Sequence, residues 1–168
     1  MSTLIAVDPG IKGCGLAIFG AGELQYCGYE RSTSTSQDPV TRCADMAAQV
    51  ALCVRRRIAD LPGGKLILEF PQVYPGGRGR GDPNDLLFLA GVTCAISALL
   101  PTLSTRSVRP RAWKGQVPKA IHHTRIVQRL SEAEHARMDA WLDLVPGNLR
   151  HNALDAIGLE LWALNRST

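Results

Sequence analysis

The sequence predicts an α/β fold built on a mixed five-stranded sheet, three antiparallel strands followed by parallel ones, flanked by helices. Two observations carry this. Toward the N-terminus, three apolar runs are separated by breaks too short to hold a helix, at Pro9-Gly10 and Ala21-Gly22, which is how antiparallel neighbours are joined. Further on, apolar runs alternate with segments of helical periodicity, the pattern of strands that return through a helix to lie parallel. A chain of 168 residues, 45% apolar and 20% charged, has the composition of one soluble globular domain with its own core.

Each element has a local reason. Thr3–Asp8 is a short apolar run halted by Pro9-Gly10 and reads as a central strand. Cys14–Gly20 is a second strand, Ala21-Gly22 a tight hairpin, and Glu23–Glu30 a third strand with partial alternation. After a Ser/Thr loop over Arg31–Gln37, Asp38 caps a helix that carries Pro39 at its first position. Met46, Val50, Val54 and Ile58 share its face, and it runs to about Ala59, before Leu61-Pro62-Gly63-Gly64. Lys65–Phe70 is a buried strand with an acid near its end, and Pro71–Pro83 is a loop dense in Gly, Pro and Arg. Asn84 or Asp85 caps the next helix, through about Leu100, and Thr102–Val108 is the fifth strand. Arg109–Pro118 is an irregular basic segment. Three helices follow: about Lys119–Leu130, a second from the Ser131-x-x-Glu134 capping box toward Leu144, and about Arg150–Leu164 after Pro146-Gly147-Asn148. With no repeat or linker, residues 1–168 read as a single domain.

Composition excludes several classes. The longest charge-free run, Leu86–Thr105, carries Gly91, Thr93, Ser97, Pro101 and Thr102, so it reads as helix plus strand and not as a membrane span. The N-terminus has no basic segment and meets Asp8 directly after its apolar run, so no secretory leader is expected. The cysteines at 14, 27, 43, 53 and 94 are odd in number and form no Cys-x-x-Cys pair. That argues against a disulfide framework or zinc ribbon and for a reducing, cytoplasmic setting. The net charge of +4 says little by itself, but its placement says more. From Leu86 to Ser131 there is no acid, while Arg106, Arg109, Arg111, Lys114, Lys119, Arg125 and Arg129 all fall there. Arg78 and Arg80 add a basic pair in a glycine-rich loop. Such a distribution is either a solvated basic face or a surface for a phosphate backbone. Trp113 within it, and the acids beside it, favour the second.

Three acids sit in unusual places. Asp8 ends the first strand and Glu69 lies at the end of the fourth, where open α/β sheets bind ligands. Asp155 lies in an apolar helical run, Ala153-Leu154-Asp155-Ala156-Ile157, with His151 four residues earlier on the same face and Asn152 three earlier. Read singly, Asp8 is a turn former, Glu69 a strand-end charge and Asp155 half of an ion pair. Read together, carboxylates gathered at one place repel unless a cation lies between them. Hard oxygen donors with one imidazole suit Mg²⁺ or Mn²⁺ better than zinc. Such a set is able to hold two divalent ions about 4 Å apart, the arrangement used in phosphodiester cleavage.

In these segments the sequence resembles the RuvC-like Holliday junction resolvases of the ribonuclease H-like superfamily. The matching stretches are Ile5-Ala6-Val7-Asp8-Pro9-Gly10 with Gly13 and Gly15, Leu66-Ile67-Leu68-Glu69, and His151-Asn152-Ala153-Leu154-Asp155-Ala156. Arg109-Pro110-Arg111-Ala112-Trp113-Lys114-Gly115 with Pro118-Lys119 is similar to the basic segment of phage and prophage members. The resemblance implies a homodimeric nuclease that cuts four-way DNA junctions by paired symmetric nicks, with two Mg²⁺ per active site (Mn²⁺ substituting). It implies 5′-phosphate and 3′-hydroxyl ends. Carried over by position, the resemblance implies that Asp8, Glu69 and Asp155 are metal ligands. The fourth is His151 or Asn152, of which His151 is favoured. Lys114 and Lys119 match basic residues near the cut strand. Phe70 and Tyr74 fall where family members wedge an aromatic into the junction, although Phe70 also suits the core. Arg78, Arg80, Arg109 and Arg111 suit a phosphate backbone, and Trp113 either stacks on DNA or packs its own loop. His122 and His123 are expected at the surface, and Trp141 and Trp162 in the core.

Other readings remain open: a ribonuclease H-like nuclease for other branched DNA or hybrids, or a non-catalytic junction-binding module. Asp8-Pro9-Gly10 also suits actin-like nucleotide binders. That class needs two such domains, and the chain holds one, so no nucleotide cofactor is expected.

Overall fold

The computed structural model describes residues 3–58, 63–73 and 82–166. The strands are β1 (Thr3–Asp8), β2 (Gly13–Gly20), β3 (Glu23–Arg31), β4 (Lys65–Glu69) and β5 (Ser104–Val108). They form one five-stranded sheet in the order β3-β2-β1-β4-β5. β1 runs antiparallel to β2, and β2 to β3, while β1–β4 and β4–β5 are parallel. The helices are α1 (Pro39–Arg57), α2 (Pro83–Leu99), α3 (Pro110–Trp113), α4 (Lys119–Gln128), α5 (Glu132–Leu142) and α6 (Arg150–Ala163).

The central strands read as continuous apolar runs because both faces of the sheet are covered. Along β1, Leu4 and Ala6 face a core shared with α4, α5 and α6, while Ile5 and Val7 face one shared with α1 and α2. Ile67 on β4 joins the first core, and Leu66 and Leu68 the second. At the outer edge β5 exposes every residue but Val108, which explains its polar sequence. The β2–β3 hairpin turns on Ala21 and Gly22, with φ of 55° and 83°, as a two-residue turn of the primed type requires.

Several boundaries differ from expectation. α2 is capped by Asp82, whose side chain accepts from the Asn84 amide at 2.9 Å, and not by Asn84 or Asp85. The device is an Asp-Pro pair, the same one that opens α1, where Asp38 accepts from the Thr41 amide at 2.7 Å. The segment after β5 is not wholly irregular, since Pro110–Trp113 makes one helical turn. β4 stops at Glu69, and the Phe70 amide then donates to the Val108 carbonyl at 2.8 Å. The expected DNA contacts Tyr74, Arg78 and Arg80 lie outside the described residues.

Two carboxylates within the helical layer behave oppositely. Glu134 completes the capping box of α5 and also accepts from the Leu24 amide and from both terminal nitrogens of Arg166. Arg166 further donates to the carbonyls of Gly22 and Arg129, so this knot ties the hairpin, two helices and the end of the chain together. Glu160 on α6 is fully buried, and neither carboxylate oxygen has a partner among the described residues. Burial pushes its pKa up to about 8, so at neutral pH it is protonated. Among the described residues no helix is long and apolar enough to cross a membrane.

Candidate active site

Parallel pairing of Val7 with Leu68 sets Asp8 and Glu69, the next residues of each strand, side by side at the C-terminal edge of the sheet. α6 lies across this end. A Cβ at Gly15 would collide with the Asn152 carbonyl, so β2 needs glycine there for the helix to sit down. That seat places Asp155, 4% exposed, beside the strand ends.

The basic segment folds over the acids. The Lys114 ammonium lies 3.0 Å from Glu69 Oε2 and 3.4 Å from Asp155 Oδ2, bridging two of the three carboxylates. Lys119 Nζ is 3.3 Å from the same Asp155 oxygen, and His123 Nε2 is 3.0 Å from Asp155 Oδ1. Trp113 Nε1 donates to Glu69 Oε2 at 2.8 Å. A cavity of about 140 Å³ opens between Lys114, Val117, Lys119, His122 and Asp155.

The electrostatics of the three acids are unequal. Burial alone would raise the Asp155 pKa, but the His123 hydrogen bond and the two lysines hold it at about 2. Asp8 accepts no hydrogen bond among the described residues, and its pKa is pushed up to about 8. Burial is the main cause; Lys114 opposes it, and the charges of Glu69 and Asp155 add to it. Burial would lower the Lys114 pKa, yet the three carboxylates outweigh it and raise the value. Two ammonium groups therefore face three carboxylates, and Asp8 is the one left short of positive charge.

The donor chemistry, three converging carboxylates, is of the kind that suits a hard divalent cation. Lys114 holds the central position. Among the described residues, no group of three or more acid, imidazole or thiol side chains is spaced around a single ion. Lys114, 24% exposed, fills the space between Glu69 and Asp155.

The other expected residues divide. His151 is partly buried and feels the charges of Lys119, Asp155 and His123, with burial the main cause of its lowered pKa. It makes no described hydrogen bond to Asp155. Asn152 spends its amide on the Leu149 carbonyl at 3.1 Å, a role inside the turn before α6. Arg109 and Arg111 are exposed beside the site, and Phe70 is half-buried after β4. Trp113 is 8% exposed and sits in the core, so its ring is not presented to a DNA base. The expectation that His123 is a surface group is wrong, because it is bound to Asp155. The signal was present: Lys119 and His123 are four apart on α4, so a helix that aims one at Asp155 aims both. His122 is not a surface group either. Its ring lies 5.1 Å from that of Trp113, and its Nε2 is buried.

No protein-family model matches the chain, and no curated protein is detectably similar in sequence. Solved structures do match. Thermus thermophilus RuvC in complex with a Holliday junction substrate superposes with a TM-score of 0.55 at 15% identity, covering 99% of this chain and 98% of that one. A second T. thermophilus RuvC structure gives 0.55 at 16%, covering 97% and 96%. The yeast mitochondrial Holliday junction resolvase gives 0.56 at 14%, covering 98% and 80%. The chain thus has the five-stranded mixed-sheet fold of RuvC-type resolvases over nearly its whole length.

Proposed function

We propose that this chain is a metal-dependent endodeoxyribonuclease that resolves four-way DNA junctions by paired symmetric nicks. One observation carries the reading. Asp155 is withdrawn into an apolar helix face yet converges with Asp8 and Glu69 at the edge of the sheet, under a lid of lysines. The likeness in fold to junction resolvases supports the choice of substrate.

Asp8, Glu69 and Asp155, with His151, would hold Mg²⁺ or Mn²⁺, two ions per site. When bound, such ions lower the pKa of a coordinated water and offset charge on the departing 3′ oxygen. Asp8 would serve as a ligand in its ionised form, which burial disfavours in the free protein. Lys119, more than half exposed, and Lys114, once displaced from Glu69 and Asp155, face the scissile phosphate and stabilise its added charge. Arg109 and Arg111 bind the flanking backbone. Cleavage leaves 5′-phosphate and 3′-hydroxyl ends.

Symmetric cutting needs two copies. The chain exposes an apolar groove of about 530 Å³ between α1 and α2, lined by Val40, Cys43, Leu87 and Phe88 among others. Val40 and Leu87 are 74% and 71% exposed. We assign this groove to the homodimer contact, and Leu87→Asp should give a monomer by analytical ultracentrifugation.

The reading is tested by cleavage of a synthetic mobile four-way junction in Mg²⁺ or Mn²⁺. Wild type should nick opposing strands, and Asp8→Asn should bind the junction without cutting it. An Asp8→Asn protein that cuts at the wild-type rate would refute the assignment.

A further inference from the structure

Two groups that touch the carboxylates carry no part of the chemistry above. The Trp113 ring has little freedom. It packs over Gly158 of α6, where an added Cβ would come within 2.9 Å of the ring and also strike Ile126, and His122 lies edge-on at 5.1 Å. An indole fixed this way is a preformed donor, and its N–H meets Glu69 Oε2 at 2.8 Å. That oxygen also receives Lys114, which leaves Oε1 without a protein donor among the described residues. On the other side, His123 Nε2 meets Asp155 Oδ1 at 3.0 Å, so the second oxygen, Oδ2, is the one turned to Lys114 and Lys119. Against an ionised carboxylate that nitrogen is the donor.

We propose that Trp113 and His123 are positioning residues: each gives one N–H to a carboxylate and fixes which of its oxygens faces the cation and the phosphate. The inference rests on the carboxylate-site reading above. The two donors come from neighbouring pieces of the same basic segment, α3 and α4, so the lysines and the carboxylate orientations are set by one unit. Neighbours of this kind commonly change metal affinity or rate by tenfold or more when removed.

The variants separate donor from bulk. W113F keeps an apolar ring and loses the N–H. H123L loses the donor, and H123Q restores it without an imidazole. Three readouts are needed: calorimetric titration with Mg²⁺, kcat and KM on the four-way junction, and ¹H–¹⁵N spectra of the indole groups. W113F and H123L should lower Mg²⁺ affinity and kcat about tenfold with KM for the junction unchanged, and H123Q should return to within about twofold of wild type. The Trp113 indole resonance, identified by its loss in W113F, should move both in E69Q and on adding Mg²⁺ to wild type. The proposal is overturned by wild-type affinity and kcat in W113F and H123L, by H123Q as impaired as H123L, or by an indole signal that ignores E69Q. Should W113F fail to fold, the H123L–H123Q pair and the E69Q spectrum still decide. If wild type neither binds Mg²⁺ nor cuts, the nuclease reading fails, and the indole response to E69Q judges the contact separately.

Discussion

Glu134 and Asp8 are both carboxylates drawn away from water, and they differ in what meets them. Glu134 receives hydrogen bonds from the amides of Leu24 and Ser131 and two from the Arg166 guanidinium. Asp8 receives none among the described residues, and two other acids stand near it. Burial pushes both pKa values up. Around Glu134, Arg166 and the amides overcome it and hold the carboxyl at about 2, while Asp8 rises to about 8. The first cluster closes its charge within the protein and belongs to the fold. The second keeps its balance only by holding a proton on Asp8, which is where the proposed cation would act.

The contrast is broken most directly at Glu134. Glu134→Ala strands the Arg166 guanidinium and several amides, and should cost about 3–5 kcal/mol in urea unfolding. Asp8→Asn should do the reverse to stability: it removes an uncompensated acid and should raise the unfolding free energy by about 1 kcal/mol or more at pH 7, although cutting falls about a hundredfold or further. A destabilised Asp8→Asn protein would mean that Asp8 is paired after all.

pH sharpens the same comparison. Glu134 binds a proton near pH 4.5 when unfolded and only near pH 2 when folded, so its contribution is complete above pH 4.5 and is lost as pH falls from there toward 2. Asp8 is the opposite case. From about pH 4 to 8 the folded state keeps a proton the unfolded state has released, so stability falls as pH rises through that window. Stability curves of wild type, Glu134→Gln and Asp8→Asn should therefore differ in separate windows, acid for the first variant and neutral for the second. The smallest effect is expected at Lys119: its replacement by Ala should reduce the slope of log K for junction binding against log salt by about 0.9. An unchanged slope would mean that Lys119 touches no phosphate.

Much of this was legible in the chain. The hairpin at Ala21-Gly22, the Asp38-Pro39 cap and the Ser131–Glu134 capping box are local devices with local signatures, and all three form as expected. Asp8, Glu69 and Asp155 stood out because acids at strand ends, or on an apolar helix, conflict with their surroundings. The cap of α2 was misplaced because Asn84 and Asp85 crowd the same turn, although Asp82-Pro83 carries the same signature as Asp38-Pro39. The Trp113–Glu69 contact was missed because it joins residues 44 apart along the chain. The His123–Asp155 contact spans 32 residues, and its one local signal was the four-residue spacing of His123 from Lys119.

The proposed function requires that the Asp8–Glu69–Asp155 cluster take up divalent cations. The most direct measurement is the thermal midpoint of wild type and Asp155→Asn at pH 7 as Mn²⁺ is added. Wild type should be stabilised progressively, by up to about 2.7 kcal/mol at a hundredfold excess over Kd, and the variant far less. Equal shifts in both proteins, or none in wild type, would contradict the account.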